Sequence, residues 1–442
     1  MRTGAWCVIA LVGGSAACGP QAETSGPPPP GTHVGYYVTT GGSSGGDGSS
    51  GNPWDLQTAL NSAGGQVHAG DTIWVRVGTY ARTYNTNLTG TAAAPIIVRA
   101  YPGERVVIDG NDGSGNDGFV VHGAYTWYSG LEFTNSNPNR TTSSTGSTFR
   151  PDVVTNNGTH TKFINLVIHD GGVAFYTYTA MPDVEVYGSI IYNNGWQGPD
   201  RGHGHALYLK NNTGPVVARD NVLFNQFGYG VHIYSDAGDG LLNGISAIGN
   251  ISFDNGSLAS TGTSANVGNL GQPDADNLVI TNNLTYMAPS LSGSNVVLGS
   301  GTGLTATGNY VVGGDGLSQG TWTNATVAGN TVIPPDPAPT QTAALVRPNA
   351  YEPGRAFIVA YNWSGEATVT VDVSGVLSVG DQYVVRNVQA LFDSPAASGT
   401  YGGGTISIPM AAVPPPAPIG ISSLAPTTGP AFNVFLLART GP

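Results

Sequence analysis

Lys210 is one of only two lysines in 442 residues, and it stands in a stretch crowded with proton-transfer and aromatic side chains. Residues 201–236 carry Arg201, His203, His205, Tyr208, Lys210, His232, Tyr234 and Asp236, with Trp196 and Asp200 just before them. Three chemistries fit such a set. β-Elimination from a uronate needs a base for the proton beside the carboxylate and a cation or proton donor for the charge that develops. Lys210 then serves as base, Arg201 neutralises the carboxylate, and His205, Tyr208, His232 and Tyr234 act as proton donors or alternative bases. Tyr176 and Trp196 offer faces to sugar rings, with His203, Asp200 and Asp236 at the rim as further binding groups. Glycoside hydrolysis instead needs two carboxylates across a cleft, for which Asp200, Asp236 and Asp239 are the nearest, with Asp170 and Asp220 further along the turns. A non-catalytic glycan-binding surface protein needs only the aromatics and amides. Elimination is the leading expectation.

Strands must position these groups. Leu207 and Leu209 alternate with Tyr208 and Lys210, and Val231 and Ile233 with His232 and Tyr234. Alternation of this kind marks a strand with one buried and one wet face. Parallel stacking of the two segments sets Tyr208 beside His232 and Lys210 beside Tyr234, about 4.8 Å apart. Val173 and Phe175 are expected to point inward, Ala174 and Tyr176 outward, with Tyr176 next to Lys210. The insertion 193–204 brings Trp196, Asp200, Arg201 and His203 to the rim. A Gly-His-Gly-His run (202–205) reads as a turn before it reads as a metal site, His122 as a wet-face residue, and His169-Asp170 as a turn bond.

A repeated phrase extends this arrangement along the chain. Asn165, Asn221, Asn250, Asn283, Asn309 and Asn330 recur with Ser189 in the same place, 21 to 33 residues apart. Spacing of that order marks a solenoid whose coils bury their faces by stacking. The coils hold β-branched runs and turn residues without a helical period, which predicts a parallel β-helix. The asparagines are expected to take left-handed turn conformations and to bond from coil to coil as a ladder. The polar stretch 137–149 reads as a loop.

Gly numbers 66 while charged residues are only 10%, as befits a large all-β chain, and the net charge of −12 argues against nucleic acid as a partner. It also sets an anionic polymer slightly at odds with the molecule. Residues 1–18 combine Arg2, the short apolar run 5–12 and the small residues 15–17 before Cys18, which resembles a bacterial lipoprotein signal with Cys18 lipidated. Cys7 would leave with it. Residues 19–33 read as a Pro/Gly-rich tether. The expectation is a monomer, secreted or held at the outer membrane or cell surface by a lipid at Cys18.

Residues 36–80 read as a cap: Tyr36-Tyr37-Val38, a Gly/Ser loop, Asn52-Pro53-Trp54, a short helix over 55–63 capped by Asp55, then GDTIWVRVGTY over 70–80. That order resembles the N-terminal cap of right-handed parallel β-helix proteins related to pectate lyases, over residues 36 to about 335. The resemblance implies a right-handed solenoid over 34–335, a polysaccharide substrate, a Lys or Arg base and often Ca²⁺. The family's calcium carboxylates do not map one by one from the sequence, so Ca²⁺ is left open. After a Pro-rich linker (334–339), residues 340–442 show alternating strands between Gly/Pro/Asn turns, predicting a small β-sandwich for packing or carbohydrate binding.

Overall fold

The computed structural model describes residues 35–441 except 147, 237, 239, 262–264, 270–273, 335–338 and 423–424. The export segment with Cys18, the tether and Asp239 therefore lie outside the described residues.

β-Branched and aromatic side chains alternate with polar ones in strands of two to seven residues, most of them three or four, and turns recur every few residues. Such strands bury one face only by stacking on the next coil. They form three parallel sheets of twelve, ten and nine strands. One coil runs Ile96–Ala100, Val106–Asp109, Phe119–Val121 and returns as Thr126–Ser129, touching the first, second and third sheets in turn. Aromatics fill the interior: Tyr128 lies 5.2 Å from Phe163, and Phe163 4.7 Å from Phe175. The N-terminal end is closed by the helix Leu56–Leu60. Asp55 accepts from the Thr58 N–H, and Leu56, Ala59 and Leu60 are buried.

The asparagine ladder forms, with one correction. The Oδ1 of Asn250 accepts from the backbone N–H and the Nδ2 of Asn221, and its Nδ2 donates to Asn283 Oδ1 at 3.1 Å. Asn309 and Asn330 continue the row, and Ser189 begins it. Asn165 does not belong to it. The Ser189 hydroxyl meets the N–H of Leu166, one residue on. Asn165 instead occupies the left-handed position (φ 54°) that Asp220 (φ 51°) and Asn282 (φ 56°) fill in other coils. The ladder asparagines follow that turn residue rather than adopting its backbone. A second row, from Asn255 through Asn266 to Asn295, carries the same bonding elsewhere on the coil.

In the C-terminal part, an antiparallel five-stranded sheet has the strand order 343–348, 355–361, 432–440, 382–387 and 397–400. It shares a core with the pair 368–372 and 405–409 through Ile358, Val371, Ile406 and Leu437. This sandwich lies against the outer face of the second solenoid sheet, where Phe224, Phe253 and Tyr286 meet Phe432 and Tyr361. The third sheet, which carries Tyr208 and Lys210, is on another side of the coil.

Candidate active site

Three successive strands of the third sheet, Phe175–Thr177, Leu207–Leu209 and Val231–Ile233, present the site. Phe175, Leu207, Leu209 and Ile233 go into the core, so the residues between them must face out. The register sets Tyr176 opposite Tyr208 and Tyr208 opposite His232. Tyr208 is the hub. Its ring centroid lies 5.0 Å from Tyr176, 5.0 Å from His232 and 6.2 Å from Tyr234, with Lys210 Nζ 5.9 Å away. Lys210 and Tyr234 thus share one side of the coil. Tyr176 pairs with Tyr208 rather than Lys210, a slip of two residues that leaves its face unchanged. Ala174 is fully buried, not outward as expected, because it packs into the core just before the strand begins.

The histidines are buried, and burial favours their neutral form. His205 Nδ1 accepts from the backbone N–H of Tyr229 at 3.0 Å, which leaves the proton on Nε2. Burial, with His232 and Arg201 adding repulsion, pushes its pKa well below the ordinary value. Burial and then Arg201 bring His232 down to about 3. His232 stacks on Tyr229 at 4.5 Å and on Tyr234 at 5.3 Å, and its Nδ1 has no hydrogen-bond partner among the described residues. Neutral imidazoles of this kind can still accept a proton or donate from Nε2. The hydroxyls of Tyr208 and Tyr234 remain as donors, the latter held 2.7 Å from Asp236.

The rim is built by the short antiparallel pair Trp196–Gln197 and Gly202–His203. Gly195 (φ 113°) allows it, since a side chain there would strike the His203 carbonyl. Trp196 is only 2% exposed and lies 5.2 Å from His203 in a parallel stack, so the expectation that it offers a face to sugar is corrected. His203 is equally buried and holds Asp200 at 3.0 Å, which makes it an anchor for the loop rather than a binding group. Arg201 reaches the surface beside Asp200, 3.7 Å away.

The other acids lie elsewhere. Asp170 is buried in a pair with Arg140 (2.9 Å) and a contact with His169 (2.8 Å). Burial opposes charge on His169, but Asp170 and Glu132 outweigh it and hold its pKa up to about 9. Asp220 sits in a left-handed turn where burial raises it to about 6. Neither reaches the Tyr208 face, so neither belongs to a carboxylate pair there. No group of three or more His, Cys, Asp or Glu side chains that could hold a metal occurs among the described residues.

Sequence reasoning missed Tyr178, Tyr229 and the pair Asp117–Asp152 on the same sheet. Asp117 Oδ2 accepts from Thr155, whose strand neighbour is Tyr176, and burial followed by Asp117 raises Asp152 to about 7. Extending the outward alternation two residues on from Tyr176 would have found Tyr178.

Three parallel sheets of short strands stacked coil on coil define a parallel β-helix. The chain belongs to the Pel9A-like right-handed β-helix family, whose model matches residues 36–269. Over 71 residues it is 45% identical to pectate lyase PEL9 of Emericella nidulans, a match covering 15% of this chain and 17% of that protein. The chain thus spans about a sixth of that curated relative's length. Solved structures similar to it include pectate lyase Pel9A (20% identity, TM-score 0.47, 69% of this chain and 81% of that one). A rhamnogalacturonan lyase (18%, 0.48, 63% and 75%) is another.

Proposed function

We propose that the chain is a polysaccharide lyase that cleaves a uronate-containing glycan by β-elimination on the outer face of the third sheet. Lys210 removes the proton beside the carboxylate, Arg201 faces the carboxylate, and Tyr208 or Tyr234 hands a proton to the departing glycosidic oxygen. Tyr176 and Tyr178 extend the platform along the solenoid axis. The observation that carries this reading is the placement of Lys210 on the Tyr208 row within the family-matched region. The other lysine is engaged elsewhere: Lys162 Nζ lies 2.7 Å from the Tyr351 hydroxyl and 3.3 Å from Glu185. The N-terminal segment supports a secreted or lipid-anchored location, which a Cys18→Ala variant losing fatty-acid labelling would test.

The test follows ultraviolet absorbance of the unsaturated product while the protein is offered pectate, alginate and glycosaminoglycans. A rise is expected on one of them, and Lys210→Ala is expected to lower its rate by about 10²-fold or more. New reducing ends without unsaturation would replace elimination by hydrolysis at Asp200 and Asp236. No cleavage of any glycan would leave a binding solenoid.

A further inference from the structure

The corner between the first and second sheets, on the far side of the coil from Lys210, meets the C-terminal sandwich at a cleft of about 520 Å³. Its solenoid wall carries Arg99, Glu104 and Arg105, and its sandwich wall carries Glu352, Arg355 and Arg386. Four guanidinium groups therefore face two carboxylates, in a molecule whose net charge is −12.

Most of these charges are already used. Glu104 is gripped by Arg76 through bonds of 2.6 to 3.0 Å. Arg105 is held by Glu132 through two bonds of 2.6 and 2.7 Å and lies under the ring of Phe392. Arg386 donates to the carbonyls of Leu391 and Asp393. Glu352 accepts from Asn165 and lies 3.6 Å from Arg355. Arg99 is different. Among the described residues it makes no side-chain hydrogen bond and no close ion pair; it lies over the ring of Trp74, 5.1 Å away, and feels the charge of Glu352 across the cleft without touching it. Its Nε and that of Arg355 are buried without a partner. A buried N–H without a partner is costly unless a ligand completes it.

We infer that this cleft is a second binding site, separate from the Lys210 face, for a short carboxylate-bearing oligosaccharide. A guanidinium fork takes a carboxylate through two parallel bonds, which a point charge does not. Phe392, 46% exposed beside Arg105, supplies an aromatic edge against which a sugar ring packs. The volume suits a small ligand of a few rings rather than a polymer crossing the molecule. The choice of a uronate rests on the function proposed above; the anion site itself does not.

The test is calorimetric titration of the full chain carrying Lys210→Ala, so that no turnover intervenes, with a galacturonate trimer and with the neutral galactose trimer. Binding of the acidic trimer alone is expected. Arg99→Gln, added to that protein, is expected to weaken it at least about tenfold, the loss of one charge-assisted pair. Should Arg99→Gln lower the melting temperature, Arg99→Lys keeps the charge without the fork and is expected to give a smaller loss. The inference is overturned if the neutral trimer binds equally, if neither Arg99 variant changes the affinity, or if the acidic trimer does not bind. Displacement by inorganic phosphate at equal concentration would also overturn it, leaving a simple anion site. Arg99-dependent binding in a protein that cleaves no glycan would keep the cleft and remove the lyase. Cleavage without such binding would do the reverse.

Discussion

His232 sits between Tyr229 and Tyr234 with its imidazole out of water, and that enclosure decides its charge. A folded value of about 3 lies below the ordinary histidine value. Between about pH 3 and 6.5 the unfolded chain therefore holds a proton that the fold does not, so this residue's contribution is present above 6.5 and lost as pH falls. Asp152 and Asp254, both raised to about 7, titrate across much of the same window with the opposite sign. The measurement is thus a difference: His232→Phe should gain stability relative to wild type as pH falls from 6.5 to 4 in urea unfolding. A gap that stays constant with pH would contradict the assignment. The pairing of Tyr208 with His232 was legible because period-two alternation fixes a strand's face. The neighbour of Tyr176 was not, because a two-residue slip leaves every side chain on the same face. The burial of Trp196, His203 and His205 was also hidden, since it comes from Phe149, Thr261 and the Tyr229 N–H across gaps the sequence does not reveal.

Strand ends and turns hold the coils in register, and the ladder shows how. Removing the Asn250 side chain strands the Asn221 N–H and takes one bond each from the Asn221 amide, the Asn283 Oδ1 and the Ala218 carbonyl, while Asn283 Oδ1 keeps the Asn250 N–H and the Asn221 amide keeps the Val186 carbonyl. Each buried orphan costs about 1–3 kcal/mol. Asn250→Ala should therefore cost about 3 kcal/mol or more in chemical denaturation, and Asn165→Gly less than half of that, since glycine suits the left-handed turn. Equal losses would mean that the two asparagines do one job. The repeat itself was plain in the sequence, but asparagine suits both a left-handed turn and a ladder, so identity alone could not separate Asn165 from Asn221. The loop 137–149 is tied down differently. Arg140, wholly buried, bonds Asp170, the Gly171 carbonyl and the Asn193 carbonyl. Arg140→Met removes one charge partner of the buried Asp170, leaving His169 and the Ile419 N–H, and should cost about 3 kcal/mol, read as a lowered denaturation midpoint.

The sandwich and the solenoid form a joint core, and this limits how far they act independently. Strands such as Val222–Phe224 and Ile251–Phe253 are buried at every residue, because their outward side chains face the sandwich instead of water. Tyr192, Phe224 and Phe253 stack coil on coil at 5.2 and 4.9 Å, and Phe432 closes the stack against Phe253 and Tyr286. The sandwich strands were legible from their alternation, whereas the docking was not, since an apolar run in a solenoid strand reads the same whether a second domain or a neighbouring coil covers it. Phe432 is fully buried at this junction. Phe432→Ala should cost about 3–5 kcal/mol, and the loss should fall on both halves together, because the cavity opens between them. Calorimetry can tell: one transition shifted downward is expected, with the third sheet and its Lys210 row melting alongside the sandwich. If the sandwich instead melted first while the solenoid kept its wild-type transition, the aromatic stack would be a contact between independent units. The inter-domain cleft at Arg99 would then open and close with the sandwich.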